Sequence, residues 1–309
     1  VKKIYKSILL LVFLGLGGGL LAQPGYRVFD FADPSLRSFS ANFQLGVSSY
    51  FGDLCATGDC WTENKPSIGA GATLRLNDYF FFGFNALYYR IEGSDASSPN
   101  LSRKRRNLSF RADNYEFSLV GNFEFLNYNT FRFLTRKEFP LSTFVFLGIG
   151  ITTNNPAAPY KGDFVPLRPL QTEAVAYSPV AAIIPFGFGV GYRFSESVNA
   201  NFTIGYRYCF SDYLDDVSST YAPEGTFTSD LAEELQYRGD EVPFGRKGAI
   251  RGNAEINDGY LILGGKIEYK IPDINLNFLG LGRVGSGGMG GPGGGSSQPV
   301  RRGAKRRGS

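Results

Sequence analysis

The 309 residues contain no histidine. That absence excludes Ser-His-Asp and Cys-His catalysis, His-ligated zinc or haem, and a histidine pH switch. Only three cysteines are present, too few for a four-cysteine zinc site. Two of them, Cys55 and Cys60, flank Gly58 and Asp59 and are spaced for a small loop disulfide in an oxidising compartment. Charged residues make up 19% of the chain, below the soluble average, and the net charge of +4 is too small to argue for a nucleic-acid partner. Past the first two dozen residues no stretch offers ~20 consecutive apolar positions, which argues against a helical membrane protein.

What is abundant is glycine, at 40 residues, and aromatic side chains, at 15%. That mixture suits strands and turns better than helices. The chain opens with Lys2, Lys3 and Lys6, then an apolar run over 8–21 that ends at Ala22 before Gln23. Residues 1–22 therefore read as a signal peptide, and 23–38 as a short periplasmic lead-in.

Period-two alternation predicts eight strands, over 39–51, 66–76, 79–92, 112–128, 142–153, 181–194, 198–210 and 259–271. In the fourth, Tyr115, Phe117, Leu119, Phe123 and Phe125 oppose Glu116, Ser118, Asn122 and Glu124. A soluble strand alternates as well, but here the polar parity carries mid-strand charges of both signs: Arg75, Glu116, Glu124, Arg193, Arg207, Lys266 and Glu268. Such a pattern predicts an all-β fold, an eight-stranded antiparallel up-and-down barrel of the outer-membrane type, apolar outside against lipid and polar within. At eight strands the interior has room only for side chains, so the charges are expected to pair into a plug. Short turns at 77–78 and 195–197 alternate with long links at 52–65, 93–111, 154–180 and 211–258, which places both ends of the barrel segment in the periplasm. The remaining link, 129–141, is longer and basic. Tyr50, Phe51, Tyr88, Tyr89, Tyr206, Tyr208 and Phe210 are expected in an outer aromatic girdle.

Candidate chemistry is sparse. The loop after the seventh strand is acidic, beginning with Asp212, Asp215 and Asp216. Hard cations prefer such oxygen ligands, but the spacing fits no calcium loop, and solvated loop charge is the simpler reading. Because the eighth strand closes the barrel between the first and seventh, Asp53 is expected beside these aspartates. There they would form a hydrogen-bonded lid over freed backbone N–H groups, with a bound divalent cation as the second version. Arg103, Lys104, Arg105 and Arg106 form a basic run in an outward loop, read first as solvated and second as a contact for anionic lipid. No cofactor, metal site or catalytic constellation is indicated. Residues 272–309 turn Gly-rich and end with Arg301, Arg302, Lys305, Arg306 and Arg307, a flexible basic tail suited to acidic partners.

Two stretches resemble a known family. "YFGDL" at 50–54 and "SDYLDDVSSTY" at 211–221, with the strand–turn–strand unit "IPFGFGVGYRFSESVNANFTIGYRY" between them, are similar to the PorG-like outer-membrane barrels of the type IX secretion system of Bacteroidota. The resemblance implies a non-enzymatic accessory of protein export and gliding, set in outer-membrane lipid and associated with a periplasmic PorK–PorN ring.

Overall fold

Each alternating segment forms a strand within a few residues of its expected ends. In the computed structural model, residues 37–55, 63–127, 140–223, 225–227, 229–239, 248–272, 274–275 and 283–284 are described. The strands are β1 (Ser38–Phe51), β2 (Lys65–Arg75), β3 (Phe80–Ser94), β4 (Ser109–Leu126), β5 (Leu141–Thr153), β6 (Pro156–Tyr160), β7 (Asp163–Pro166), β8 (Val180–Arg193), β9 (Val198–Cys209) and β10 (Gly259–Ile271). Eight of them pair antiparallel in the order β1-β2-β3-β4-β5-β8-β9-β10. The ring closes from β10 back onto β1, from Phe39 opposite Ile271 to Phe51 opposite Gly259. The fold is thus a closed eight-stranded antiparallel barrel. Among the described residues no helix is long and apolar enough to cross a membrane.

The short turns follow from local chemistry. Asn77 Oδ1 accepts the N–H groups of Tyr79 and Phe80 at 2.8 and 2.7 Å, an Asx turn that reverses β2 into β3. Ser195 Oγ does the same for Ser197 and Val198 between β8 and β9.

Around its middle the barrel is inside-out. Leu45, Phe84, Leu119, Ile149 and Phe202 are each at least half exposed on the outer face. Inside, the charges pair: Arg207 Nε lies 3.2 Å from Glu116, which also accepts the Tyr260 hydroxyl at 2.9 Å. Arg75 meets Glu124 at 2.7 Å, Lys266 reaches Asn85 Oδ1 at 3.2 Å, and Glu268 accepts from Asn201 at 3.1 Å. Cavities between these side chains measure about 30 and 40 Å³, room for a water molecule and little else.

That polarity reverses toward the loop-bearing end, as β3 and β4 show. Outward along β3 run Phe80, Phe82, Phe84, Ala86 and Tyr88, then Arg90 and Glu92; inward, Asn85 gives way to Leu87, Tyr89 and Ile91. Opposite, Tyr115 pairs in register with Tyr88 and Asp113 with Arg90. Arg90 and Asp113 form an ion pair at 2.7 Å on the outer surface. The apolar band of β4 runs from Tyr115 to Phe125, which at ~3.3 Å per residue and a tilt near 40° is roughly 25 Å tall, the height of a lipid-facing belt. Tyr88 and Tyr115, with ring centroids 5.6 Å apart, mark its rim.

Beyond the rim the barrel encloses an ordinary apolar core, with Ile91, Phe110, Ile183, Leu214, Val217 and Leu235 at 3% exposure or less. The β6–β7 hairpin adds to β4 through Arg111–Ala157 and Ala112–Pro156, and Arg111 lies over the Phe164 ring at 3.5 Å. Two short helices complete this cap, α1 (Leu101–Arg106) and α2 (Asp230–Gln236).

Two members of the expected outer girdle point the other way. Tyr50 and Tyr89 have the inward parity of their strands and are buried, Tyr89 stacked on Tyr260 at 4.3 Å and Tyr50 edge-on to Phe110 at 4.8 Å. Adjacent residues of a strand face opposite sides, so Tyr50 and Phe51 cannot share a girdle, nor can Tyr88 and Tyr89. The expected signal peptide, the basic link and most of the tail lie outside the described residues; within the tail, Ile274–Asn275 pairs with Arg283–Val284.

Candidate functional site in the capped mouth

Because β10 pairs with both β1 and β9, the end of β1, the loop after β9 and the start of β10 meet at one point of the mouth. The Tyr50 hydroxyl sits there between two carboxyl groups, 2.6 Å from Asp215 Oδ2 and 2.8 Å from Asp258 Oδ1. A phenol has one proton to share between the two carboxyls, an arrangement that favours a proton on one of them. Burial first, and then the nearby carboxylates, Asp53 beside Asp215 and Asp215 beside Asp258, push both aspartates well above the usual carboxylate range. Both also cap backbone: Asp215 Oδ2 accepts Leu54 N–H at 3.2 Å as well, Asp215 Oδ1 accepts Val217 N–H at 2.8 Å, and Asp258 Oδ2 accepts Leu214 N–H at 2.8 Å.

A second knot lies beside it. Asp216 adopts a left-handed backbone (φ 68°), which aspartate tolerates better than most residues. Its carboxylate accepts the hydroxyls of Thr172 and, at 2.7 Å, Tyr177. Arg251 lies 3.6 Å from Asp216 and 2.9 Å from Glu173. Glu173 in turn accepts Ser218 N–H at 3.0 Å and Ser219 N–H at 2.9 Å. One carboxylate thus holds two loops together.

Asp53 and Asp212 complete the group on different terms. Asp53 Oδ2 accepts Asn253 N–H at 2.7 Å, and burial raises its pKa. Asp212 is 8% exposed, and neither of its carboxyl oxygens makes a hydrogen bond to a described residue. Burial, with Asp53 and Glu173 nearby, pushes it up to about 7.

The expectation of solvated loop charge fails for Asp212, Asp215 and Asp216, which are 8%, 1% and 1% exposed. Backbone N–H groups offset the cost of burying Asp215, and the Thr172 and Tyr177 hydroxyls with Arg251 that of Asp216, whereas Asp212 has no such compensation. Among the described residues no group of three or more His, Cys, Asp or Glu side chains is placed to hold a metal ion. Solvation also fails for Arg106, whose guanidinium is buried against Asp95 at 2.5 Å, whereas Lys104 and Arg105 are exposed. Cys55 is half-buried at the edge of this region, and Cys209 is a free, buried thiol. Cys60, Arg301, Arg302, Lys305, Arg306 and Arg307 lie outside the described residues.

Sequence reading missed Tyr50, Glu173, Arg251 and Asp258 as parts of the knot. Asp258 carried a signal, since it immediately precedes the first residue of β10 and so must share the sector of Asp53. Glu173 carried none: it stands in a link without periodicity, and only the folded loop brings it to Arg251.

No curated protein matches the chain. Among solved structures it is similar to Neisserial surface protein A, at 11% identity over 76% of this chain and 99% of that one, with a TM-score of 0.39. It is also similar to Ail, the attachment invasion locus protein of Yersinia pestis (10% identity, 75% and 99% covered, TM-score 0.33). A major outer membrane protein from Thermus thermophilus gives 9% identity, 76% and 100% covered, and a TM-score of 0.35. A family model matches residues 39–227, a span that holds both the Asp53 and the Asp212–Asp216 segments, and the chain belongs to that family, described as Domain of unknown function (DUF6089).

Proposed function

We propose that this chain is a non-enzymatic barrel of the bacterial outer membrane that acts as a closed anchor for other envelope components. The observation that carries the reading is the filled lumen: ion pairs and amides occupy the interior at mid-belt and leave cavities of only about 30 and 40 Å³. The roughly 25 Å apolar belt with tyrosines at its rim supports contact with outer-membrane lipid. Asp215 and Asp258 are committed to backbone N–H groups and to the Tyr50 hydroxyl, and Asp216 and Glu173 to Arg251, which supports a latch over the barrel end.

The finer reading is an accessory of type IX protein secretion, with both ends of the barrel segment and the basic tail in the periplasm facing PorK/PorN-like ring proteins. It is supported by the likeness of "YFGDL" and "SDYLDDVSSTY" to that family. In the fold those residues belong to the latch, so the likeness speaks to architecture more directly than to partners. Purification of the full chain from cross-linked envelopes tests it: ring proteins in the eluate are expected, and their absence would leave a general envelope barrel. Planar-bilayer recording tests the closed lumen, with no steady current expected; large stable conductance would overturn it.

A further inference from the structure

The buried guanidiniums of the mouth are already matched, Arg106 by Asp95 at 2.5 Å and Arg251 by Glu173 at 2.9 Å and Asp216 at 3.6 Å. Asp215 and Asp258 have the Tyr50 hydroxyl and backbone N–H groups. Asp212 stands among these groups with neither kind of support. It is 8% exposed, and no hydrogen bond from a described residue reaches its carboxyl oxygens. The charged groups that act on it are carboxyls: Asp53 from the end of β1 and Glu173 from the 154–180 link. Within its own loop it acts in turn on Asp215 and Asp258. Tyr213, next in the chain, is a phenol that donates to Glu173 at 3.4 Å. On α1, Arg103 and Arg106 act on Asp53, and Arg103 donates to the Cys55 carbonyl at 3.2 Å. Ser218 favours the charged form of Asp212, but burial outweighs it. A protonated Asp212 is tolerated here, whereas an ionised one is a buried charge in acidic surroundings.

Asp212 opens the segment 211–221, which lies over the barrel end on a few separate attachments. Leu214 N–H reaches Asp258, Ser218 and Ser219 N–H reach Glu173, and the Ser219 carbonyl accepts Arg251 N–H at 2.8 Å. Leu214 and Val217, at 0% and 1% exposure, press into the apolar core beneath. None of these contacts belongs to the hydrogen-bond ladder of the belt. We infer that ionisation of Asp212 releases the segment 211–221 from the mouth, so that the latch is a pH-sensitive lid over a belt that stays folded. The inference rests on the reading of this region as a latch, and not on the secretion role. Its direction follows from burial, which with Asp53 and Glu173 pushes Asp212 up to about 7 in the closed form, against about 4 in a released loop. The closed form is therefore favoured in full below about pH 4, loses ground as pH climbs to about 7, and is level beyond. Release bares Leu214 and Val217, an apolar surface presented at the mouth as pH rises.

Hydrogen–deuterium exchange of the full chain in phosphatidylcholine nanodiscs tests this, with rates corrected for the intrinsic pH dependence of amide exchange. Peptides covering 211–221 report the lid, and peptides from β4 and β10 report the belt. Protection of the lid is expected to fall at least about tenfold between about pH 5 and about pH 8, while that of the belt holds. Asp212→Asn, which keeps the shape of the neutral acid, should carry the acid-side protection through to the alkaline side. Asp212→Ala should likewise lose the pH dependence, at whatever level of protection it settles. Asp163→Asn, at an exposed carboxyl of the β6–β7 hairpin, should leave the dependence intact. Lid protection that is equal at both pH values in the parent chain would overturn the inference. So would a dependence that survives in Asp212→Asn and Asp212→Ala, or belt protection that falls in step with the lid. A segment 211–221 unprotected at every pH would instead sink the latch itself, and the lid with it.

Discussion

The belt and the cap of this barrel are built from the same strands with opposite polarity. In the belt, β4 shows Leu119 to the outside and Glu116 to the inside; in the cap it shows Asp113 to the outside and Phe110 to the inside. Water and lipid have exchanged roles across the Tyr88–Tyr115 rung, and the sequence has followed the solvent while the backbone continued unchanged. The lesson is that alternation specifies a two-faced strand, whereas only the identity of the apolar face at each height specifies the surroundings.

Substitutions in the two regions sharpen that contrast. The largest effect is expected for Glu116→Ala, which leaves Arg207 buried without its partner and should destabilise the barrel by about 3–5 kcal/mol, read as loss of the heat-modifiable folded band in detergent. Leu119→Arg, at mid-belt on the outer face, should cost about 2–4 kcal/mol in lipid, whereas Arg90→Leu above the rim should stay within about 0.5 kcal/mol. Similar effects at both positions would show that the belt ends elsewhere.

Next in size is Asp215→Ala, which uncaps Leu54 and Val217 and frees Tyr50 from one partner. A loss of about 1–3 kcal/mol is expected, confined to the cap: limited proteolysis should cut the 211–258 loop faster while the belt strands stay protected. Uniform loss of protection would mean that cap and belt unfold as one unit.

The smallest effect concerns pH. Asp212 holds its proton in the folded state up to about 7, while the unfolded chain releases it near about 4. Its folded-state pKa is raised, so stability falls as pH climbs from about 4 through about 7 and is level above that. Asp212→Asn should remove this slope and raise the thermal midpoint above neutrality relative to the parent chain. A slope that survives the substitution would assign it to the Asp215–Asp258 pair instead.

Much of the belt was legible because period-two patterning repeats in every strand and because the polar parity carries charges. Which charges pair was not: Glu116 and Arg207 come from strands on opposite sides of the barrel, and parity says only that both point inward. The cap was largely illegible. The β6–β7 hairpin, with Pro156, Pro159 and Pro166, reads as a loop, since proline is depleted from strands other than edges. Aromatic residues near strand ends invite placement in the outer girdle, yet parity assigns Tyr50 and Tyr89 to the inside, where they are buried. The aspartates after β9 stand out as a group, but their burial depends on Tyr50 and Glu173 arriving from two other segments and on Arg251 returning from the far end of the same loop.

The seam between β1 and β10 has a kinetic meaning. It joins the first strand of the barrel to the last, so it cannot form until the chain has made every intervening hairpin and the long acidic loop has been threaded back. Pairings of such high contact order form slowly, and until this one forms the sheet is open, with two unsatisfied edges exposed. Opposite each other in that seam stand Gly46 and Gly264, with Leu45 facing Gly265. Little side-chain bulk therefore obstructs the zipper at mid-height, and closure of the ring is the step that commits strands already paired.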